Sequence, residues 1–138
     1  MKYSARVENS SDKHKVTLHA GETVHTLDIP PRESSFGSSV SGGELLFLAL
    51  ATCYCNDIYR ESAKRNIKVE HVAVHVEGDF PAAGEPAQNI VYRAKVRADA
   101  SEQEIRDLMT FTDTVVEIQN TLRVGTPVVL AEIEVVKG

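Results

Sequence analysis

The two cysteines, Cys53 and Cys55, are the side chains of this sequence best suited to covalent chemistry. Both lie in an apolar run that opens at Glu44, which is typical of a helix buried on every side. A thiol in such a helix is either an inert small hydrophobic group or a nucleophile kept away from bulk water. Both interpretations of Cys53 remain open here, whereas a structural role is favoured for Cys55. Residues two apart on a helix point about 200° apart, which excludes a Cys53–Cys55 disulfide.

A reactive Cys53 requires a nearby cation, because it lies too far into the helix for the N-terminal dipole to lower its pKa. Arg32, in the Ser- and Gly-rich loop before the helix, is the best candidate, followed by Arg123 and Arg6. A solvent-exposed Arg32 without this role is the alternative. Glu44 follows Ser41 by three residues, a spacing that predicts a capping box, and a catalytic role for the same carboxylate is compatible with it.

Metal and nucleotide chemistry are not supported by the sequence. The five histidines are expected to be exposed on strand faces, since no cysteine or carboxylate stands at the spacing that would complete a metal site. There is no glycine-rich phosphate loop after a strand and no nucleophile elbow. We therefore expect no metal and no cofactor.

Composition limits the remaining classes of protein. The 138 residues predict one domain, and the formal net charge of −5 argues against a nucleic-acid partner. The sequence has no apolar run of about 18 residues and no apolar segment near its start, so neither a membrane span nor a signal peptide is expected. Two cysteines one residue apart do not form a disulfide framework, and a cytoplasmic location is expected.

The elements that would position Cys53 follow from the hydrophobic pattern. Alternation predicts a three-stranded meander over 1–29, followed by a loop over 30–43 and the central helix over 44–66, with Asn66 as a left-handed stop. The segment 67–138 predicts strand, strand, helix and strand. The order βββ-α-ββ-α-β is an α+β fold. A long helix that is apolar all round needs more cover than one small sheet supplies, which predicts a homodimer.

One capping box and one strand define the end of this prediction. Ser101 and Glu104 have the spacing of a capping box, after which an apolar stripe runs at helical spacing as far as Val116. The last strand is expected from Val129 to Val135.

Three segments together resemble one known family. The run from Gly42 to Cys53 has a Glu-Leu-Leu opening with a cysteine nine residues after that glutamate, and Ile67–Glu70 and Asn120–Arg123 continue the match. This pattern resembles the OsmC/Ohr family, the osmotically inducible and organic hydroperoxide resistance proteins. The resemblance covers nearly the whole chain as a single OsmC-like domain. It implies an intertwined homodimer whose central helices lie between sheets, with active sites at the subunit interface.

The resemblance also implies a reaction. Cys53 falls on the position of the thiol that attacks an organic hydroperoxide, with an arginine and a glutamate around it, here Arg32 and Glu44. In the family a second cysteine resolves the sulfenic acid, whereas Val116, followed by Glu117, stands at that position here. The expected function is therefore thiol-dependent reaction with organic hydroperoxides or related electrophiles in the oxidative-stress response, completed by an external thiol reductant. The alternative is a non-catalytic dimer of the same fold that binds an apolar small molecule or a protein.

Overall fold

A computed structural model describes residues 1–33 and 36–138 of the chain, and it has the mixed α+β composition that the sequence predicts. Two compact units are present, Met1–Leu46 and Phe47–Gly138. Ser34 and Ser35, which belong to the predicted loop, lie outside the described residues.

The first unit contains the predicted meander. Strands β1 (Tyr3–Ser10), β2 (Lys13–Ala20) and β3 (Thr23–Thr26) pair antiparallel in the order β1-β2-β3. Asp12 and Gly21 have φ values of 61° and 60°, the left-handed conformation that suits tight turns between strands. The strand β3 ends at Thr26, earlier than the alternation up to Ile29 suggests.

The central helix α1 (Gly42–Lys64) begins and ends where local chemistry predicts. The backbone N–H of Ser41 donates to Glu44 Oε2 at 2.7 Å, and the N–H of Glu44 donates to Ser41 Oγ at 3.2 Å, which completes the capping box. Asn66 has a φ of 53°, so it is the left-handed stop. These local predictions are confirmed.

Only one face of α1 is covered within the single chain. Leu50, Tyr54 and Ile58 recur at every fourth position and are buried. Leu48 and Tyr59, on other sides, remain 55% and 45% exposed. Burial of the helix on every side therefore needs a second subunit, as the sequence analysis expects, and stays a prediction.

The second unit packs the helices on a two-stranded antiparallel sheet of β4 (Lys68–Asp79) and β5 (Gln88–Asp99). Helices α2 (Glu102–Val115) and α3 (Glu117–Arg123) follow, and the predicted capping box of Ser101 and Glu104 begins α2. The inward faces of these elements form a core around Ile58, Leu108 and Val116, which are fully buried. This core fixes the position of the Cys53 side of α1.

The predicted last strand does not form in the single chain. Within the described residues, the segment 126–138 contains no helix or strand, and Val129 and Val135 are 78% and 79% exposed. A strand needs a neighbouring strand to pair its backbone N–H and C=O groups, and this segment has none. The element order of the described chain is therefore βββ-α-ββ-α-α. None of its helices combines the length and hydropathy needed to cross a membrane.

Candidate functional site

The Cys53 thiol lies between two carboxyl groups. Its Sγ is 3.7 Å from Asp57 Oδ2 and 3.5 Å from Glu117 Oε1, and the S–H can donate to either oxygen. Asp57 follows Cys53 by four residues on α1, so the two side chains share one face of the helix. Glu117 arrives from the first turn of α3, 64 residues further along the chain.

One arginine joins these carboxyls to a third. Arg60 Nη1 is 3.2 Å from Asp57 Oδ1 and 2.7 Å from Glu117 Oε2, while its Nε is 2.8 Å from Glu61 Oε2. Lys64 Nζ lies 3.1 Å from the same Glu61 oxygen. We call this group, Cys53, Asp57, Arg60, Glu61, Lys64 and Glu117, the thiol cluster. The thiol cluster contains three carboxyl groups and two cationic side chains.

The environment keeps the Cys53 thiol protonated. Burial raises its pKa from the ordinary value of 9.0, and the negative charges of Asp57 and Glu117 raise it further. The backbone N–H of Ile118 acts in the opposite direction, because it favours a thiolate, but it does not compensate. At neutral pH the sulfur is therefore a thiol and needs a proton acceptor before it can attack.

The two carboxyls beside the thiol have very different pKa values. Burial and the neighbouring Glu117 raise the pKa of Asp57 to about 6. The hydrogen bond from Asp57, and then the Arg60 guanidinium, lower the pKa of Glu117 to about 2. Below about pH 6 the proton shared by the two carboxyls resides on Asp57, because its side chain is only 8% exposed, whereas that of Glu117 is 59% exposed and solvated. Above this pH Asp57 is ionised.

The structure places the predicted partners of Cys53 as follows. Glu44 forms the capping box at the start of α1, so its capping role is confirmed and its catalytic role stays a prediction. Arg32 lies in the loop, where its backbone N–H donates to the carbonyl of Gly37 at 2.8 Å, and its action on Cys53 also stays a prediction. Arg6 forms an ion pair with Glu8 at 3.3 Å.

Sequence reasoning missed Asp57, Arg60 and Glu117. Part of the signal was present, since Cys53, Asp57 and Arg60 stand at positions i, i+4 and i+7 of one helix face. Glu117 was named only as the residue after Val116, and its contact with the sulfur depends on the fold.

The two cysteines face different surroundings, as predicted. Cys53 packs against the core, whereas Cys55 lines an open groove with Thr52, Asn56 and Val74. Both are free thiols. The two thiols point into different environments, which agrees with the exclusion of a disulfide between them.

Val116, at the predicted resolving position, is fully buried and joins α2 to α3. The two residues that follow Val116 contact the Cys53 thiol. Glu117 Oε1 is 3.5 Å from Sγ, and the backbone N–H of Ile118 faces the sulfur. The loss of a resolving cysteine at this position stays a prediction.

The thiol cluster also contains the ligand types of a metal site. Cys53, Asp57 and Glu117 each place one ligand atom within 4.8 Å of the others. The guanidinium of Arg60 already pairs with both carboxylates and would repel a second cation. We therefore interpret the arrangement as an ion-pair network around a thiol.

A second polar group lies on the other side of Tyr54. We call Tyr92, Asp113 and Arg123 the tyrosine cluster. The Tyr92 hydroxyl donates to Asp113 Oδ1, and Arg123 Nη2 is 2.8 Å from the same oxygen. The Tyr54 ring packs against Tyr92 with ring centroids 5.1 Å apart. Arg123, a candidate partner of Cys53, is thus paired with Asp113.

An open groove adjoins the tyrosine cluster. It has a volume of about 470 Å³, and Leu50, Ile90, Val91 and Leu122 supply its apolar lining, with Arg123 at its charged side. An apolar wall with one fixed cation suits a small molecule that carries both an apolar part and an anionic group.

Comparison with known proteins gives one family and several similar structures. A sequence model of the family described as OsmC-like protein matches residues 35–131. No curated protein has a significantly similar sequence. An OsmC-like protein from Mycoplasma pneumoniae has a similar structure, with a TM-score of 0.61 and 20% identity, covering 91% of each chain.

Two further solved structures share the fold. An OsmC-like protein of unknown function from Vibrio cholerae matches with a TM-score of 0.59 and 17% identity over 88% of this chain and 93% of its own. An organic hydroperoxide resistance protein OsmC from Legionella pneumophila matches with a TM-score of 0.58 and 19% identity over 89% of this chain and 90% of its own. At these identities the likeness establishes the fold.

Proposed function

This chain belongs to the OsmC-like protein family, and we propose that it reduces organic hydroperoxides through the thiol of Cys53. The observation that carries the proposal is the contact of Cys53 Sγ with the Asp57 and Glu117 carboxyls, which provides proton acceptors beside a half-buried sulfur. The similar Legionella pneumophila protein, described as an organic hydroperoxide resistance protein, supports the same class of substrate.

The proposed cycle needs an external thiol. Sulfur attacks the terminal, hydrogen-bearing oxygen of the peroxide, the O–O bond breaks, and Cys53 sulfenic acid and an alcohol form. One external thiol then displaces water to give a mixed disulfide, and a second releases Cys53 and a disulfide. Val116 carries no sulfur to take either role. Arg32 and Glu44 are proposed to complete the pocket around the peroxide.

A homodimer is part of the proposal. Leu48 and Tyr59 on α1 and the apolar residues of 126–138 are exposed in one chain, and a second copy would cover them. Sedimentation of a stable folded monomer at micromolar concentration would exclude the dimer.

The test is consumption of an alkyl hydroperoxide by the full-length protein with several thiol donors. Wild type and Cys55→Ser should turn over, and Cys53→Ser should lose all thiol-dependent consumption. Loss of activity in both variants would mean that the register of the helix is misassigned. No consumption by wild type with any donor would exclude the proposed function.

A second candidate function is binding without chemistry. It is favoured by the raised pKa of Cys53 and by the apolar groove of Leu50, Ile90, Val91 and Leu122 beside Arg123. Saturable binding of a medium-chain fatty acid that is weakened at least tenfold in Arg123→Met, together with an inactive wild type, would support this candidate over the first.

A further inference from the structure

We propose that Asp57 is a catalytic residue that takes the proton from Cys53 Sγ and delivers it to the alkoxide that leaves when the peroxide bond breaks. This inference rests on the proposed function and deepens it. It assigns a role to a buried carboxyl that lies outside the residues predicted from the sequence.

Geometry places Asp57 in contact with the reacting atom. Its Oδ2 is 3.7 Å from Cys53 Sγ, and its Oδ1 is held by Arg60 Nη1 at 3.2 Å. The two oxygens therefore have separate tasks, because one faces the sulfur and the other is fixed by the guanidinium. The side chain is only 8% exposed, so bulk water competes little for the transferred proton.

Charge balance favours Asp57 as the acceptor. With the thiol neutral and the other groups ionised, the three carboxyls and two cations of the thiol cluster sum to one negative charge. Loss of the thiol proton to water would add a second negative charge to this half-buried site. Transfer of the same proton to Asp57 leaves the total unchanged, so the thiolate forms without that penalty.

Glu117 also contacts the sulfur but is the weaker candidate. Its side chain is 59% exposed, and Arg60 Nη1 binds its Oε2 at 2.7 Å, so it stays ionised and is a poor proton carrier. The groups that face Asp57 are Cys53, Arg60 and Glu117, with Glu61 and Lys64 behind Arg60.

The step balances in atoms and electrons. The S–H proton moves to Oδ2 as the S–O bond forms and the O–O bond breaks, so sulfur is oxidised by two electrons and the peroxide is reduced. The hydroxyl of the peroxide becomes the hydroxyl of the sulfenic acid. Asp57 then protonates the alkoxide to give the alcohol and returns to the carboxylate.

Two electrophiles separate this role from a structural one. Both reactions consume the thiolate, which at pH 7 also forms by proton exchange with solvent, so they differ in the leaving group. Iodoacetamide releases iodide, which needs no proton, whereas a hydroperoxide releases an alkoxide, which does. In a Cys55→Ser background, Asp57→Asn should lower kcat/KM for tert-butyl hydroperoxide about 100-fold or more. The alkylation rate at pH 7 should not fall, because removal of a negative charge lowers the pKa of the thiol. Asp107→Asn on the exposed side of α2 is the matched control and should change neither rate.

A parallel fall of both rates would assign Asp57 a structural role and overturn the inference. An active wild type with an unaffected Asp57→Asn would overturn it as well and leave the proposed function intact. An inactive wild type would remove the proposed function itself.

Glu117→Gln provides a second test if Asp57→Asn fails to fold. The kcat/KM of wild type should rise with pH through about 6, where Asp57 ionises. Removal of the Glu117 charge should move this rise to lower pH by about one unit, because burial raises the pKa of Asp57 and the Glu117 charge raises it further. An unshifted profile would contradict the role of Asp57.

Discussion

The thiol cluster and the tyrosine cluster each contain an aspartate between a side-chain hydrogen-bond donor and an arginine, yet the pKa values of the two aspartates shift in opposite directions. In each, an aspartate accepts a hydrogen bond from a side-chain S–H or O–H and pairs with an arginine, at 3.2 Å for Asp57 and 2.8 Å for Asp113. The pKa of Asp57 is raised to about 6. Burial would also raise the pKa of Asp113, but hydrogen bonds from Tyr92 and Arg123 outweigh it, and that pKa is lowered.

The two aspartates differ in burial and in how many carboxyls share each cation. The side chain of Asp57 is 8% exposed, whereas that of Asp113 is 46% exposed. Asp113 has the Arg123 ion pair to itself, whereas Arg60 is divided among Asp57, Glu61 and Glu117. An adjacent arginine therefore does not by itself guarantee an ionised carboxylate. In the tyrosine cluster one arginine pairs with one aspartate, as in a structural ion pair. In the thiol cluster Asp57 can gain or lose a proton near pH 6.

Removal of Arg60 should have the largest effect on stability, and removal of Arg123 is the matching change in the tyrosine cluster. Arg60→Met leaves Asp57 and Glu117 facing each other, and we expect a loss of about 2–3 kcal/mol in the free energy of unfolding at pH 7.5. Arg123→Met should cost about 1 kcal/mol, because it leaves a single half-exposed carboxylate. Urea unfolding of both variants measures the difference. Equal losses would show that the two clusters are energetically alike.

Acid pH should rescue only one of these variants. At pH 4.5 Asp57 is protonated, so the deficit of Arg60→Met should shrink, while Arg123→Met should show no such recovery. A deficit of Arg60→Met that is independent of pH would contradict the shared proton.

Asp57→Asn should change stability by an amount that grows with pH. The folded pKa of Asp57 is raised from 3.8 to about 6, so its favourable contribution is fully present below pH 3.8 and is lost as pH rises through 6. Asparagine does not titrate, and the variant should therefore gain on the order of 2 kcal/mol relative to wild type between pH 4 and pH 7.5. Urea unfolding across this range measures it, and a flat difference would contradict the raised pKa.

Asp113→Asn should show the opposite pH dependence. The folded pKa of Asp113 is lowered, so its contribution is present above the unfolded pKa and is lost as pH falls through the folded value. The variant should be about 1 kcal/mol less stable than wild type at pH 7, and this deficit should shrink in acid. A deficit that grows on acidification would mean that the pKa of Asp113 is raised, like that of Asp57, and not lowered.

Val116→Cys should have the smallest effect on stability and a clear chemical readout. Val116 is fully buried next to Glu117, which contacts Cys53, and valine and cysteine are both compact, so the cost should stay below about 1 kcal/mol. Peroxide treatment of a Cys55→Ser, Val116→Cys variant should give a disulfide between Cys53 and the introduced thiol. Mass spectrometry that finds both sulfurs oxidised separately would show that Val116 is ordinary core.

Features that depend on residues close together in the sequence could be predicted, whereas features that depend on distant segments could not. The alternation in residues 1–29 predicts the meander, and the capping boxes predict the starts of α1 and α2, because strand periodicity and caps depend on residues a few positions apart. The last strand was wrong for the single chain, since an apolar alternating segment becomes a strand only where another strand pairs with it. The cover on the outer side of α1 depends on a second subunit in the same way, and it stays a prediction.

The sequence alone identifies Cys53 and the direction of Cys55, because each is determined by one local run of residues. It also identifies the likeness to the OsmC-like family, which depends on three such runs. The chemistry around Cys53 was decided by the tertiary structure. Folding brings Glu117 to the sulfur across 64 residues, gives Arg60 three carboxyls to share and buries Asp57 among them. The position of a proton depends on distances and burial, which are properties of the folded chain and not of residue spacing.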